Sequence, residues 1–236
     1  MAQFFADQVL NIQVLPQGRA GVSFLNWKID PLPLAHRPGS DAKDFAGCGL
    51  YGICFDDQLI YIGSYLGTNR NGSNFEGDVV SQRWWTHIGA ITSRGHKLHI
   101  AKSAIKILSD TLTENHPLVI GFRSSNDPTL LHKDNGNLGP IKRLLFAATK
   151  SQIFFNSNTD PQQVLRRFRF TYVRISPTST DLTSAAIKAH IEHAEKSLIK
   201  SLAPVCNTTH VSRESIAVHV PCHEVERLLS EALRTS

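Results

Sequence analysis

The stretch GCGLYGICFDDQLIYIGSY, Gly47–Tyr65, decides how this chain reads. It holds two short runs rich in β-branched and aromatic residues, GLYGICF and QLIYIGSY, parted by Asp56-Asp57. Runs of that composition around a tight acidic turn spell a β-hairpin. Tyr51 and Tyr61 fall on its two arms, where they should stand nearly opposite one another. Tyrosines paired across strands usually just pack, so any chemistry has to be argued from their neighbours.

Downstream, the Gly/Asn-rich segment from Gly67 to Asp78 has the composition of a surface loop. Its G-T-N-R-N-G-S run has Ser73 where a phosphate-cradling P-loop needs lysine, which argues against ATP binding. VVSQRWWTHIGAI and KLHIAKSAIKILSDTL then read as helices, Leu118–Phe122 as a buried strand, and NLGPIKRLLFAATK as a helix with Pro140 in its first turn. Gln152–Phe155 and Phe168–Ile175 read as further strands. A long helix is expected from about Asp181, its N-cap, to Leu202, ended by Pro204. HEVERLLSEALRT closes the chain as a short amphipathic helix. Upstream, residues 1–46 carry the Pro-rich stretch Asp30-Pro31-Leu32-Pro33 and suggest an extended arm. Strands interleaved with helices argue for a mixed α/β or α+β fold.

At 236 residues the chain suits one domain with insertions. It is 41% hydrophobic and 19% charged, enough apolar surface for a real core and not a disordered composition. The 25 basic and 20 acidic residues leave a formal charge of +5, a mild excess that fits a visitor to nucleic acid without demanding one. Arg166, Arg167, Arg169 and Arg174 gather on one strand-like segment, and Arg94, His96, Lys97, His99 and Lys102 on another run. Either could simply be a solvated face. The opening residues lack a basic n-region followed by an apolar core, so no signal peptide is expected. No apolar run approaches the ~20 residues of a membrane span. Four cysteines without a C-x-x-C pair point to free thiols in a reducing cytoplasm. Cys206-x3-His210 with His219-x2-Cys222-His223 offers soft ligands, but in no familiar zinc spacing.

The long helix holds one anomaly. At about 100° per residue, Ile187, Ile191, Ala194, Leu198, Ile199 and Leu202 share a broad apolar face, and Glu195 falls inside it. A carboxylate among apolar residues is costly to bury unless it is paired or bound to metal. Arg83 and His87, four apart on the RWWTHI helix, should share a face. Arginine presents a planar fork suited to phosphate, and histidine, with an unperturbed pKa of ~6.5, accepts a proton near neutral pH.

Gly49-Leu50-Tyr51 followed by Tyr61-Ile62-Gly63 resembles the paired tripeptides of the GIY-YIG nuclease superfamily, with Leu in place of the first Ile. Arg83 and His87 match that family's Arg-x3-His pair, Glu195-Lys-Ser-Leu198-Ile199 its metal-binding Glu in an E-x-x-L-I setting, and Pro204 and Asn207 its following Pro and Asn. The likeness covers roughly residues 47–102 and 168–207. The long loop between Tyr61 and Arg83 and the block 109–167, taken as an insertion, depart from the compact module. Phe168–Ile175 is then the third core strand, with Leu118–Phe122 as competitor.

The resemblance implies a small central β-sheet flanked by helices, with residues 47–207 as the nuclease domain, 1–46 an N-terminal extension and 208–236 a helical tail. It implies hydrolysis of a DNA phosphodiester, most like the type II restriction branch. Glu195 would hold Mg²⁺, with Mn²⁺ a substitute. Arg83 would stabilise the phosphate. A tyrosine at its reference pKa of ~10 is about one part in a thousand phenolate at pH 7, so His87 is the easier base, relayed through Tyr51, with Tyr61 orienting water or phosphate and Asn207 supporting. Base reading falls to Arg70, Asn71, Asn74, Arg94, His96, Lys97, Arg123 and Arg143, each equally able to contact a phosphate. Double-stranded DNA is the expected partner, a homodimer would suit a palindromic target, and a methyltransferase of the same specificity would accompany a restriction enzyme. A repair or mobile-element nuclease, and a DNA-binding module that has lost its chemistry, stand as alternatives.

Overall fold

A computed structural model describes residues 2–15, 27–38, 44–67, 77–95, 100–124, 131–132, 141–156, 158–175, 183–211 and 215–235. The architecture is α+β, with a small antiparallel sheet. The chain divides into two compact units. The first gathers Met1–Val9, Pro31–Arg83 and Leu165–Ser236, the second Leu10–Asp30 and Trp84–Val164.

The first unit is organised by β4 (Gly49–Phe55) and β5 (Gln58–Tyr65), the expected hairpin. Its turn residues Asp56 and Asp57 have φ of 49° and 64°, the left-handed pair that a two-residue turn matching strand twist requires. The Arg167 guanidinium forks onto the Asp56 carboxylate at 2.6 and 2.5 Å and lies over the Phe55 ring, steadying that turn. On the other side of β4 runs β8 (Phe168–Arg174), the third strand as read from the sequence. Beyond it lies β1 (Ala2–Phe5), so the start of the supposed arm is a strand of the central sheet. The order is β1-β8-β4-β5, all neighbours antiparallel, with β5 at one edge.

Side chains alternate across a strand, and the registers sort them into two faces. Tyr51, Ile53, Phe170 and Tyr172 point one way; Leu50, Cys54, Ile62 and Val173 point the other. The second face packs against α7 (Ser184–Leu202) and α8 (Cys222–Thr235) through Ile187, Ile191, Ala194, Leu198, Val225 and Leu229. Gly52 makes this approach possible, because a Cβ there would lie 2.6 Å from the Val225 side chain. The α7 stripe is the one its periodicity predicts. Its cap is Thr183, whose Oγ1 accepts from the Ala186 N–H, and it stops at left-handed Ala203 before Pro204. Asp181, the expected cap, lies outside the described residues.

The second unit contains β2 (Leu10–Val14), β3 (Trp27–Pro31, whose last residue belongs to the first unit), α1 (Trp85–Thr92), β6 (Ile100–Ala101), α2 (Lys102–Thr111), α3 (Pro117–Ser124), β7 (Leu131–His132), α4 (Ile141–Thr149), α5 (Ser151–Phe154) and most of α6 (Pro161–Arg166). Two expected strands are helices here. Leu118–Phe122 lies within α3: Pro117 opens it, His116 Nδ1 accepts from the Leu118 N–H, and the helical turn buries Leu118 and Val119 while exposing Ile120. Gln152–Phe155 is mostly the short α5, a turn anchored by buried Phe154. Short apolar runs look alike in a buried strand and a helix, and here helical wrapping prevails. The helix expected over 97–112 is also shortened, to α2, with Ile100–Ala101 paired in parallel to β7.

Because α8 fills the core beside Gly52, it is part of the first unit's core. Leu229→Ala, at a buried position, should lose about 2–5 kcal/mol in urea denaturation, whereas exposed Arg227→Ala should change little. Equal midpoints for Leu229→Ala and the parent chain would show that the helix contributes no core energy.

Candidate active site

Five consecutive residues of β5, Tyr61-Ile62-Gly63-Ser64-Tyr65, form the platform to which most of the singled-out side chains attach, on its two faces and its edge. Tyr51 is buried on β4 and faces Gly63, while Tyr61 faces Ile53, so the two tyrosines are diagonal and not opposite. Their ring centroids are 6.1 Å apart. The Tyr51 ring lies across Gly63: a Cβ at that glycine would come within 2.5 Å of its Cζ and Oη. Close approach is the reason a glycine stands there.

Ile62 receives Asn207. The side-chain oxygen of Asn207 accepts from the Ile62 N–H at 2.9 Å, and its amide donates to the Ile62 carbonyl at 2.8 Å. The preceding Cys206 N–H bonds the Ile60 carbonyl at 2.9 Å. Asn207 is thus a two-pronged clasp on the edge of the strand, only 2% exposed.

Ser64 receives Glu195. The serine hydroxyl donates to Oε2 at 2.6 Å, and the Ser64 backbone bonds the same carboxylate. Half-buried Glu195 has its pKa raised, chiefly by burial; the Ser64 bonds and the charge of His210 pull it down, while Glu192 pushes it up. By strand alternation Ser64 lies on the helix-covered face, opposite Tyr51 and Tyr61. The anomaly on the helical wheel therefore has a partner at the sheet edge.

Tyr65 receives the helical turn that carries Arg83. Its hydroxyl donates to Gln82 Oε1 at 2.8 Å, and burial, with the charge of Asp78, pushes its pKa up to about 12 against the opposing pull of Arg83. The turn Val80–Trp84 is π-helical, a rare form often found at functional sites. Asp78 anchors its start: Oδ1 accepts from the Val80 N–H, the Ser81 hydroxyl donates to Oδ2, and buried Arg37 pairs with Oδ2 at 2.8 Å. Arg37 also reaches Ser81 Oγ and the Leu32 carbonyl, and stacks 5.1 Å from the Phe45 ring. The wider turn changes one expectation. Arg83 is exposed while His87, four residues on, is buried, because α-helical i,i+4 spacing does not carry through a π turn. His87 belongs to the second unit.

Of the candidates for reading DNA, Arg70, Asn71, Asn74, His96 and Lys97 lie outside the described residues. Arg123 falls within α3, and Arg143 is half-buried on α4. Arg94 is corrected. It is 8% exposed, donates from Nη1 to the Phe154 carbonyl at 2.8 Å, and lies 4.4 Å from the Trp27 ring centroid. Burial lowers its pKa to about 10, and a guanidinium so enclosed supports its own unit instead of meeting a phosphate. The arginines around β8 are matched by carboxylates: Arg166 by Asp7, Arg167 by Asp56, Arg169 by Asp57 and Arg174 by Asp44. Ser64, Gln82, Asp78 and Arg37 were not singled out in the sequence. Ser64 adjoins the Tyr-Ile-Gly tripeptide, but nothing in its spacing marks it.

Two outcomes follow from this geometry. Asn207→Ala would leave two buried edge groups of Ile62 unbonded and should cost about 2–4 kcal/mol in urea denaturation. Glu195 has a raised folded pKa, so its contribution is fully present below its unfolded value and is lost as pH rises through the folded one. Glu195→Gln should therefore match the parent near about pH 4 and gain stability relative to it towards about pH 8; a gap that moves the other way would contradict burial as the dominant cause. Comparison of the chain with family models, with curated proteins and with solved structures finds no match to any of them.

Proposed function

We propose that this chain is a metal-dependent endonuclease that hydrolyses phosphodiester bonds of double-stranded DNA, of the GIY-YIG kind and nearest to the site-specific type II restriction enzymes. The observation that supports it is that an ordered residue set attaches along five consecutive positions of one strand: Tyr51 over Gly63, Tyr61 beside Tyr51 and the Arg83 turn on Tyr65 from one face, Glu195 on Ser64 from the other, and Asn207 on Ile62 at the edge.

Glu195 is the residue that would hold Mg²⁺ or Mn²⁺. Its carboxylate is drawn partly out of bulk water and is held by Ser64. A hard cation of this kind keeps most of its waters, needs few carboxylates and would take phosphate oxygens as further ligands. The cation would stabilise charge on the phosphate and the leaving oxygen. Exposed Arg83, on a turn held through Gln82 and Asp78, would offer a bidentate fork to the developing charge of a phosphate. Tyr51 and Tyr61 supply phenol hydroxyls to orient the attacking water or the phosphate. His87 is the base assigned from the sequence.

The test is cleavage of unmethylated plasmid and phage DNA with Mg²⁺ or EDTA, comparing the parent with Glu195→Ala and His87→Ala. Discrete Mg²⁺-dependent fragments, lost in both variants while DNA binding persists, are expected. Diffuse nicking, or cutting of branched or damaged DNA alone, would favour a repair nuclease. Intact DNA throughout, with binding retained, would leave a DNA-binding module. An active His87→Ala chain would remove His87 from the role of base.

A further inference from the structure

Ser64 directly follows Tyr61-Ile62-Gly63, and its hydroxyl stands 2.6 Å from Glu195 Oε2. At that distance the hydroxyl is the donor and the carboxylate the acceptor, a charge-assisted bond about twice as strong as a neutral one. A second bond comes from the Ser64 backbone. A glutamate on a helix has several rotatable torsions and, left unpinned, turns its head towards water. Here Ile191, Leu198 and Ile199, three or four residues away on the same helix, are buried in the core, and Ser64 holds the head at the edge of β5. The Ser64 hydroxyl engages Oε2, and a carboxylate oxygen has lone pairs enough to accept more than one partner.

We propose that Ser64 is a positioning residue for the metal-binding carboxylate of Glu195, holding its head in the orientation in which it takes up a divalent cation. This rests on the nuclease reading, in which Glu195 is the metal ligand. Groups that orient a metal ligand without touching the metal typically cost 10–100-fold in metal affinity when removed, and a bond of purely structural value would leave that affinity unchanged.

The measurement is Mn²⁺ binding to the full chain at fixed pH, by isothermal titration and by the electron paramagnetic signal of free Mn²⁺, for the parent, Ser64→Ala and Ser64→Thr. Ser64→Ala should bind Mn²⁺ about 10–100-fold more weakly, while Ser64→Thr, which keeps the hydroxyl and suits a strand, should bind like the parent. The Mg²⁺ concentration that half-activates cleavage should rise in step in Ser64→Ala. Should Ser64→Ala fail to fold, Ser64→Cys, close in size and a poor donor, replaces it with the same expectation. Parent-like Mn²⁺ affinity in the hydroxyl-free variant overturns the role of Ser64 and leaves the nuclease reading standing. A folded parent chain that binds no Mn²⁺ overturns both.

Discussion

An edge strand offers a row of N–H and C=O groups to any passing strand, and a sheet persists as a monomeric edge only when that row is occupied or spoiled. In β5 it is occupied from within the chain. The Cys206 amide takes the Ile60 carbonyl, the Asn207 side chain takes both groups of Ile62, and Glu195 meets Ser64. α7 and the short segment after it thereby do for the sheet what a fifth strand would do. The edge is protected by side chains, and side chains can carry chemistry. Everything that makes the Tyr61–Tyr65 strand a platform depends on this arrangement, since without it the edge would invite pairing.

A second constraint sits at the other end of the platform. Arg37, Asp78 and Ser81 lock the start of the π turn, and Gln82 ties its body to Tyr65. Arg37 is buried, and a buried guanidinium is costly unless its donors are engaged. Its bonds to Asp78, Ser81 and the Leu32 carbonyl, with the Phe45 ring beneath it, meet that requirement. The cost of enclosing one arginine leaves Arg83 exposed on a turn whose start cannot slide.

The hairpin and the stripe of α7 were legible because period and composition agreed over long stretches, and Phe168–Arg174 was legible as a strand, though Leu118–Phe122 stayed its competitor for the third place in the sheet. Glu195 was legible as a violation of that period. Leu118–Phe122 and Gln152–Phe155 were not, since a run of four or five apolar residues fits a strand and a buried helical turn equally and only tertiary packing separates them. The strand β1 was hidden for a different reason: AQFF has no alternation of its own, and it pairs with a strand made far later in the chain. Ser64, Arg37 and Asp78 act through partners distant in sequence, and no local pattern encodes such a meeting. Arg94 shows the reverse error, a charge in a basic run that tertiary packing turns inward.

The first unit is assembled from three separated pieces of chain, with the second unit largely contained in the intervals between them. Its hairpin emerges early in synthesis, yet the strand that pairs with both β1 and β4 comes well over a hundred residues after β1. The clasp on the hairpin's edge comes later still. Domains that fold in order of emergence from the ribosome have their contacts within one contiguous stretch; this unit does not. Its long-range pairings are slow to close, and until Asn207 is made the Tyr-Ile-Gly strand stands with an open edge. A nascent chain thus carries Tyr51 and Tyr61 long before it carries Glu195 and the clasp that covers their strand's edge.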